Sequence, residues 1–165
     1  MKVETGKPLI IDKNRMILCS GMGTAGVNSL GKVLFEYPEI KSVVEFGSAA
    51  SVAKATVGTI YECTTFCSFD GSVLGTTVKQ TELPNAAVMG SNELYEGEKY
   101  DWAELFDIPV LYTMETLMFR AIAHEFKKQF LSIRLATDVG SGDIREQIKK
   151  ALDKAKSKVS AFFTS

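Results

Sequence analysis

An excess of charge of either sign is the first thing this chain lacks. Nineteen basic and twenty acidic side chains leave a net charge of −1, so no broad basic face is on offer to nucleic acid or an anionic membrane. Histidine is nearly absent. His124 is the single one, falls mid-helix by pattern, and reads as structural. Cysteine is scarce and odd in number: Cys19, Cys63 and Cys67 all sit in apolar runs. They read as reduced core thiols rather than a metal or redox site. By simple alternation Cys63 and Cys67 share one strand face, a poor zinc geometry, so no metal is expected. Long hydrophobic runs are missing too. No stretch approaches a membrane span, and Met1-Lys2-Val3-Glu4 does not read as a signal peptide, which points to a cytoplasmic setting.

What remains is apolar material in alternating periods. Hydrophobic residues make up 45% of the chain, enough for a sizeable core in one domain. With no internal repeat and no linker, residues 1–165 read as a single unit. Arg15–Ser20 reads as a short strand. Gly21-Met-Gly23-Thr-Ala-Gly26 then opens a helix with Val27, Leu30, Val33 and Leu34 at helical spacing, stopped by Pro38. Lys41–Phe46 is a strand expected to stop at Gly47-Ser-Ala-Ala-Ser51. Gly58–Phe69, rich in β-branched and aromatic residues, is a long strand, followed by a loop over 72–85. Ala86–Met89 and Pro109–Tyr112 are strands around a polar, aromatic stretch, 92–106, with room for a helical turn. Met114–Lys127 is a helix and Phe130–Thr137 a buried strand. Ile144 onward is an amphipathic helix marked by Ile148, Leu152, Ala155 and Val159. This order argues for an α/β fold on a mostly parallel sheet.

Three motifs carry chemistry. Gly21-x-Gly23-x-x-Gly26 between a strand and a helix, with Glu45 at the end of the next strand, has the form of a dinucleotide fingerprint. The plainer reading is a glycine-rich strand-to-helix turn, which any α/β protein can carry, and the chain has no second half of a Rossmann unit in the usual order. Phe46-Gly47-Ser48-Ala49-Ala50 offers small residues after a strand, where backbone amides and a hydroxyl can face a ligand oxygen, or is a plain tight turn. Glu115 opens a helix and Asp138 ends the strand that follows it. In an open α/β sheet that path leads both carboxylates to the carboxyl edge. There one can grip hydroxyls while the other moves a proton. Singly, each reads as a helix-terminus acid. Arg134, inside an apolar strand, requires a buried partner. Tyr95 and Trp102 could stack on a base or merely anchor their loop.

Taken together, Ser20-Gly-Met-Gly23, Phe46-Gly-Ser-Ala-Ala50, and Met114-Glu115 leading to Ile133-Arg134-Leu-Ala-Thr-Asp138-Val139 resemble the nucleoside phosphorylase superfamily. The likeness is to its methylthioadenosine/S-adenosylhomocysteine nucleosidase branch, over roughly residues 15–69 and 86–163. The resemblance implies a three-layer α/β fold, with a mostly parallel or mixed sheet and flanking helices. It implies hydrolysis of the N-glycosidic bond of a purine nucleoside or thionucleoside, without a cofactor. Asp138 resembles the acid that protonates N7 of the departing purine. Glu115 resembles the carboxylate holding the ribose hydroxyls, with Met114 against the sugar. Tyr95 resembles the aromatic that stacks on the base. Ser48 and Ala49 resemble the small residues beside the ribose.

Phosphorolytic members carry an arginine beside the Gly-Ser turn; here Glu45 stands in that strand and would repel phosphate, which favours hydrolysis. The family's first strand, which supplies a water-orienting glutamate, has no counterpart, since Met1–Asp12 resembles the hairpin after it. The stretch between Asp70 and Ala86 is shortened, and the water-activating base is unassigned, with Glu45 or Glu93 as stand-ins. The resemblance further implies a homo-oligomer, a dimer with the Gly23–Leu34 region near its interface. A nucleoside binder with lost or impaired turnover and a dinucleotide-binding module are the alternatives.

Overall fold

The computed structural model describes residues 4–21, 23–91 and 93–164, with side chains through Lys158. Residues 1–3 of the expected hairpin, Met22 of the glycine motif and the Val159 side chain lie outside that description. Among the described residues eight strands and three α-helices follow in the order β1 (Pro8–Ile10), β2 (Met16–Leu18), α1 (Gly23–Glu36), β3 (Ser42–Ala53), β4 (Ile60–Cys67), β5 (Val73–Thr76), β6 (Asn85–Gly90), β7 (Val110–Thr113), α2 (Thr116–Glu125), β8 (Gln129–Asp138) and α3 (Ile144–Thr164), with a 3-10 turn at Asp101–Leu105 before β7.

The fold is mixed α/β. The main sheet runs β5-β4-β6-β7-β3-β8. β3–β8, β4–β6 and β6–β7 are parallel, whereas β3–β7, β4–β5 and β4–β8 are antiparallel. Because β4 pairs with β8 as well as β6, the strands β4-β6-β7-β3-β8 join into a ring. β4 divides one edge between two partners: Ile60–Cys63 pair with β8 and Thr65–Cys67 with β5.

Several sequence expectations change. β3 does not stop at Gly47 but continues to Ala53, because Gly47 to Ala50 pair with β8 and the strand from Ala50 to Ala53 pairs with β7. The expected loop over 72–85 contains β5, which lies along the free half of the β4 edge. The expected strand at Arg15–Ser20 forms as β2 but pairs only with β1, in a separate two-stranded sheet. Cys19 is exposed, not a core thiol. Cys63 and Cys67 are buried but belong to different core clusters, because register shifts at 63/65 and 66/67 break the alternation along β4. Burial pushes the Cys63 thiol up to about 12.

The core explains where the helices lie. Leu30 and Leu34 of α1 and Phe119 and Ala123 of α2 pack with Ala49, Phe66, Val88, Leu111, Phe130 and Ala136. On β8 the intervening residues Ile133 and Leu135 pack instead with Ile60 and with Ala155 of α3, as period-two alternation dictates. Pro38, which has no amide hydrogen to extend a helix, follows the last turn of α1, whose final bond is Tyr37 N–H to the Val33 carbonyl at 2.9 Å.

Glu62 secures the return from β5 to β6. Its fully buried carboxylate accepts hydrogen bonds from the backbone N–H of Gln80 (2.6 Å) and Thr81 (2.7 Å) and from the Thr81 hydroxyl (2.6 Å). Truncation by Glu62→Ala strands those donors. It should lower stability by about 1–3 kcal/mol, read as a reduced midpoint in urea denaturation. An unchanged midpoint would show that the loop does not depend on this carboxylate.

Candidate functional site

The site is organised by β3. In the strand register Ala50 stands opposite Tyr112 of β7 on one side and Asp138 of β8 on the other. β7 runs antiparallel to β3 and β8 parallel to it, so β7 and β8 approach this row from opposite directions and both end there. This corrects the route expected from the sequence. Glu115 and Asp138 are not carried to one carboxyl edge of parallel strands; their strands terminate against the same stretch of β3.

A bulge completes the arrangement. Ala49 pairs with Ala136 but Ala50 pairs with Asp138, leaving Thr137 as an extra residue on β8. Bulges of this kind re-aim the residues beside them, and here the slip brings Asp138 into the row of Ala50 and Tyr112. The Thr137 hydroxyl lies 3.2 Å from the Ala49 carbonyl and 2.8 Å from Asp138 Oδ2, within donating distance of both. The Gly140 N–H donates to Asp138 Oδ1 at 2.9 Å. Asp138 is buried, and its carboxylate is held from two sides.

Tyr95 belongs to the same neighbourhood. Its ring stacks on Tyr112 with centroids 5.1 Å apart, and its hydroxyl donates to the Glu98 carbonyl at 2.6 Å. Gly140, at φ +71°, lies so close to the ring that a side chain there would collide with Tyr95. The loop after Asp138 and the loop after β6 therefore pack on each other. Burial pushes the Tyr95 phenol up, and Glu98, Tyr100 and Asp138 push the same way. Trp102 is an anchor: its indole N–H donates to the Phe69 carbonyl at 2.8 Å, and its ring meets Tyr100 and Phe106. His124 is exposed on α2.

Glu115 precedes α2 and is partly exposed. One of its carboxylate oxygens accepts the backbone N–H of Gly23, the first residue of α1, at 3.0 Å. The positive end of a helix dipole faces a carboxylate there, a favourable arrangement. Met114 lies beside a cleft of about 320 Å³ lined by Gly90, Ser91, Thr113, Met114, Leu117 and Met118. Ser48 is exposed and Ala49 buried on β3.

Beneath these residues sits a polar network that sequence reading detected only as a buried arginine in want of a partner. Arg134 pairs through Nη2 with Glu45 Oε1, donates to the Thr116 hydroxyl at 2.5 Å, and donates through Nη1 to the Ser48 carbonyl at 3.2 Å. The Ser132 hydroxyl, directly across the ladder from Glu45, donates to its other oxygen at 2.9 Å. Burial pushes the Glu45 carboxyl up, against the pull of Arg134 and of the Ser132 and Thr116 hydroxyls. The missed signal was spacing: Glu45 and Arg134 occupy parallel strands whose register sets them one diagonal apart, and no single-strand pattern reports a register.

The dinucleotide reading does not survive this geometry. Its strand, β2, is outside the main sheet, its helix N-terminus faces Glu115, and its acid, Glu45, is committed to Arg134. Among the described residues no group of three or more His, Cys, Asp or Glu is arranged to hold a metal, and no helix is long and apolar enough to cross a membrane.

No protein-family model and no curated protein matches the chain. Solved structures do. A Streptococcus pyogenes S-adenosylhomocysteine nucleosidase in complex with 5-methylthiotubericidin matches with a TM-score of 0.63 at 16% identity, over 82% of this chain and 70% of that one. A Colwellia psychrerythraea methylthioadenosine/S-adenosylhomocysteine nucleosidase in complex with adenine matches with a TM-score of 0.61 at 17% identity, over 84% and 71%. A variant of the Chlamydia trachomatis nucleosidase bound to methylthioadenosine matches with a TM-score of 0.64 at 12% identity, over 92% and 82%. The chain thus has the fold of the methylthioadenosine/S-adenosylhomocysteine nucleosidases.

Proposed function

We propose that this protein binds a purine nucleoside or thionucleoside and hydrolyses its N-glycosidic bond. One observation carries the reading: Asp138 and Tyr112, on which Tyr95 stacks, flank Ala50 of β3, next to Ala49, and Met114-Glu115 follow the strand that carries Tyr112, in a fold whose solved examples hold adenine, methylthioadenosine and an analogue. In this reading residues 1–165 act as one three-layer domain in the cytoplasm, with no cofactor.

The division of labour follows from chemistry. Departure of a purine leaves electron deficiency on the sugar and negative charge on the base. Asp138 delivers a proton to N7 and so makes the base a better leaving group. Glu115 accepts hydrogen bonds from the ribose hydroxyls, holding the ring while its cationic character grows. Met114 packs against the sugar, Ser48 and Ala49 flank it, and Tyr95 borders the base.

A second reading is favoured by a specific observation. Three acidic side chains are buried among the described residues. Glu62 is spent on residues 80 and 81, and both oxygens of Glu45 are engaged by Arg134, Thr116 and Ser132. Neither is free to activate water, so Glu45 drops out as a stand-in base. A nucleoside binder with impaired turnover satisfies the same geometry. Release of free purine supports the hydrolase, and tight binding without release supports the binder.

Asp138→Asn keeps the shape and removes the proton, so base release should fall by at least about 10²-fold with the fold intact by circular dichroism; unchanged turnover would take Asp138 out of the mechanism. A site built for ribose hydroxyls rejects sugars lacking them. Calorimetry should therefore show a 2′,3′-dideoxynucleoside binding more weakly than its parent, and equal affinities would remove Glu115 as the sugar clamp. The reading also includes a homodimer through the α1 side, where Phe35 is 78% exposed. Light scattering should report twice the 18.1 kDa chain mass, and a monomer at micromolar concentration would rule that assembly out.

A further inference from the structure

Glu45 is a buried carboxylate to which the proposed chemistry gives no task. It lies on β3, three residues before Ser48, and is bound to a guanidinium that touches two parts of the site at once. Arg134 Nη1 reaches the Ser48 carbonyl, and Nη2 reaches Thr116, the residue directly after Glu115. The Thr116 hydroxyl also stands 3.4 Å from Glu45 Oε1. β8, β3 and the start of α2 are therefore joined by one set of hydrogen bonds that closes on itself. Gly47 is part of the design, because the guanidinium lies against it so closely that a β-carbon at that position would collide with Nη1.

We propose that Glu45 is a positioning residue: through Arg134 it fixes the Glu115 end of α2 against Ser48 and so sets the grip on the sugar. The inference rests on the reading of Glu115 as the ribose clamp. Its physical basis is that a buried guanidinium must stay with its carboxylate. While it does, its remaining N–H groups have a fixed direction, and Ser48 and Thr116 are held where those groups point. Without the carboxylate the arginine must find water or another acceptor. The two walls of the sugar site then lose their common strut, although Glu45 itself touches no ligand.

The test compares adenosine with 2′,3′-dideoxyadenosine by calorimetry, in the unaltered protein and in Glu45→Gln, Thr116→Val and Thr116→Ser. The preference for adenosine should shrink by at least about tenfold in Glu45→Gln and Thr116→Val, the size of one charge-assisted hydrogen bond, and be retained in Thr116→Ser, which keeps the hydroxyl. Parallel weakening of both ligands, or an unchanged preference, would overturn the inference and leave the nucleoside reading standing. If Glu45→Gln is unfolded by circular dichroism, the Thr116→Val and Thr116→Ser pair decides by the same criterion. If the unaltered protein shows no preference between the two ligands, the clamp reading fails and the inference falls with it.

Discussion

Ala50, the last of the small residues in the Phe46–Ala50 motif, stands between Tyr112 and Asp138 in the sheet. Backbone pairing on both sides of β3 makes two strands of opposite direction end at one row. Several residues of the proposed site are placed from there. Asp138 is the last residue of β8, Met114 and Glu115 follow β7, and Tyr95 stacks on Tyr112. Sheet hydrogen bonding is rigid compared with loop structure, which is why side chains carried on strand ends keep their geometry. The irregularity between β3 and β8, the extra residue at Thr137, falls where Asp138 is turned into that row.

The second constraint is electrostatic. Arg134 and Glu45 are both almost fully buried. Bringing such charges out of water is costly, and a buried pair adds little net stability over apolar residues; breaking one, however, costs about 3–5 kcal/mol. Here the arrangement has a clear shape, since the guanidinium's other contacts are Ser48 and Thr116. Glu45 also accounts for the absence of a free cation at this point of the strand: the positive charge that could hold an anion is already neutralised from within.

Shared fold and low identity belong together in this protein. Identities of 12 to 17% with nucleosidase structures are compatible with one backbone because cores tolerate wide substitution when volume and pattern are kept. Chemistry is less forgiving, since it depends on single atoms. A fold can therefore persist while one carboxylate is reassigned to a structural task, and whether water is activated turns on that kind of local change rather than on the sheet.

The sequence by itself determined the periodicities and hence the elements. Leu30, Val33 and Leu34 mark α1, and the buried run from Phe130 to Asp138 marks β8. It also determined that Arg134 must have a partner and that Glu115 and Asp138 flank one helix and one strand. These are local facts, written in spacing and in the cost of burying polar groups. Tertiary structure alone decided that β3 runs through the Gly47–Ala50 segment, that β5 lies along β4, and that β2 leaves the main sheet. It decided too that Glu45 is the acid Arg134 finds and that Asp138 stands in register with Ala50. The reason is the same in each case: strand pairing and register join residues distant in the chain, and a one-residue slip, such as the one at Thr137, changes which side chains meet without altering any local pattern.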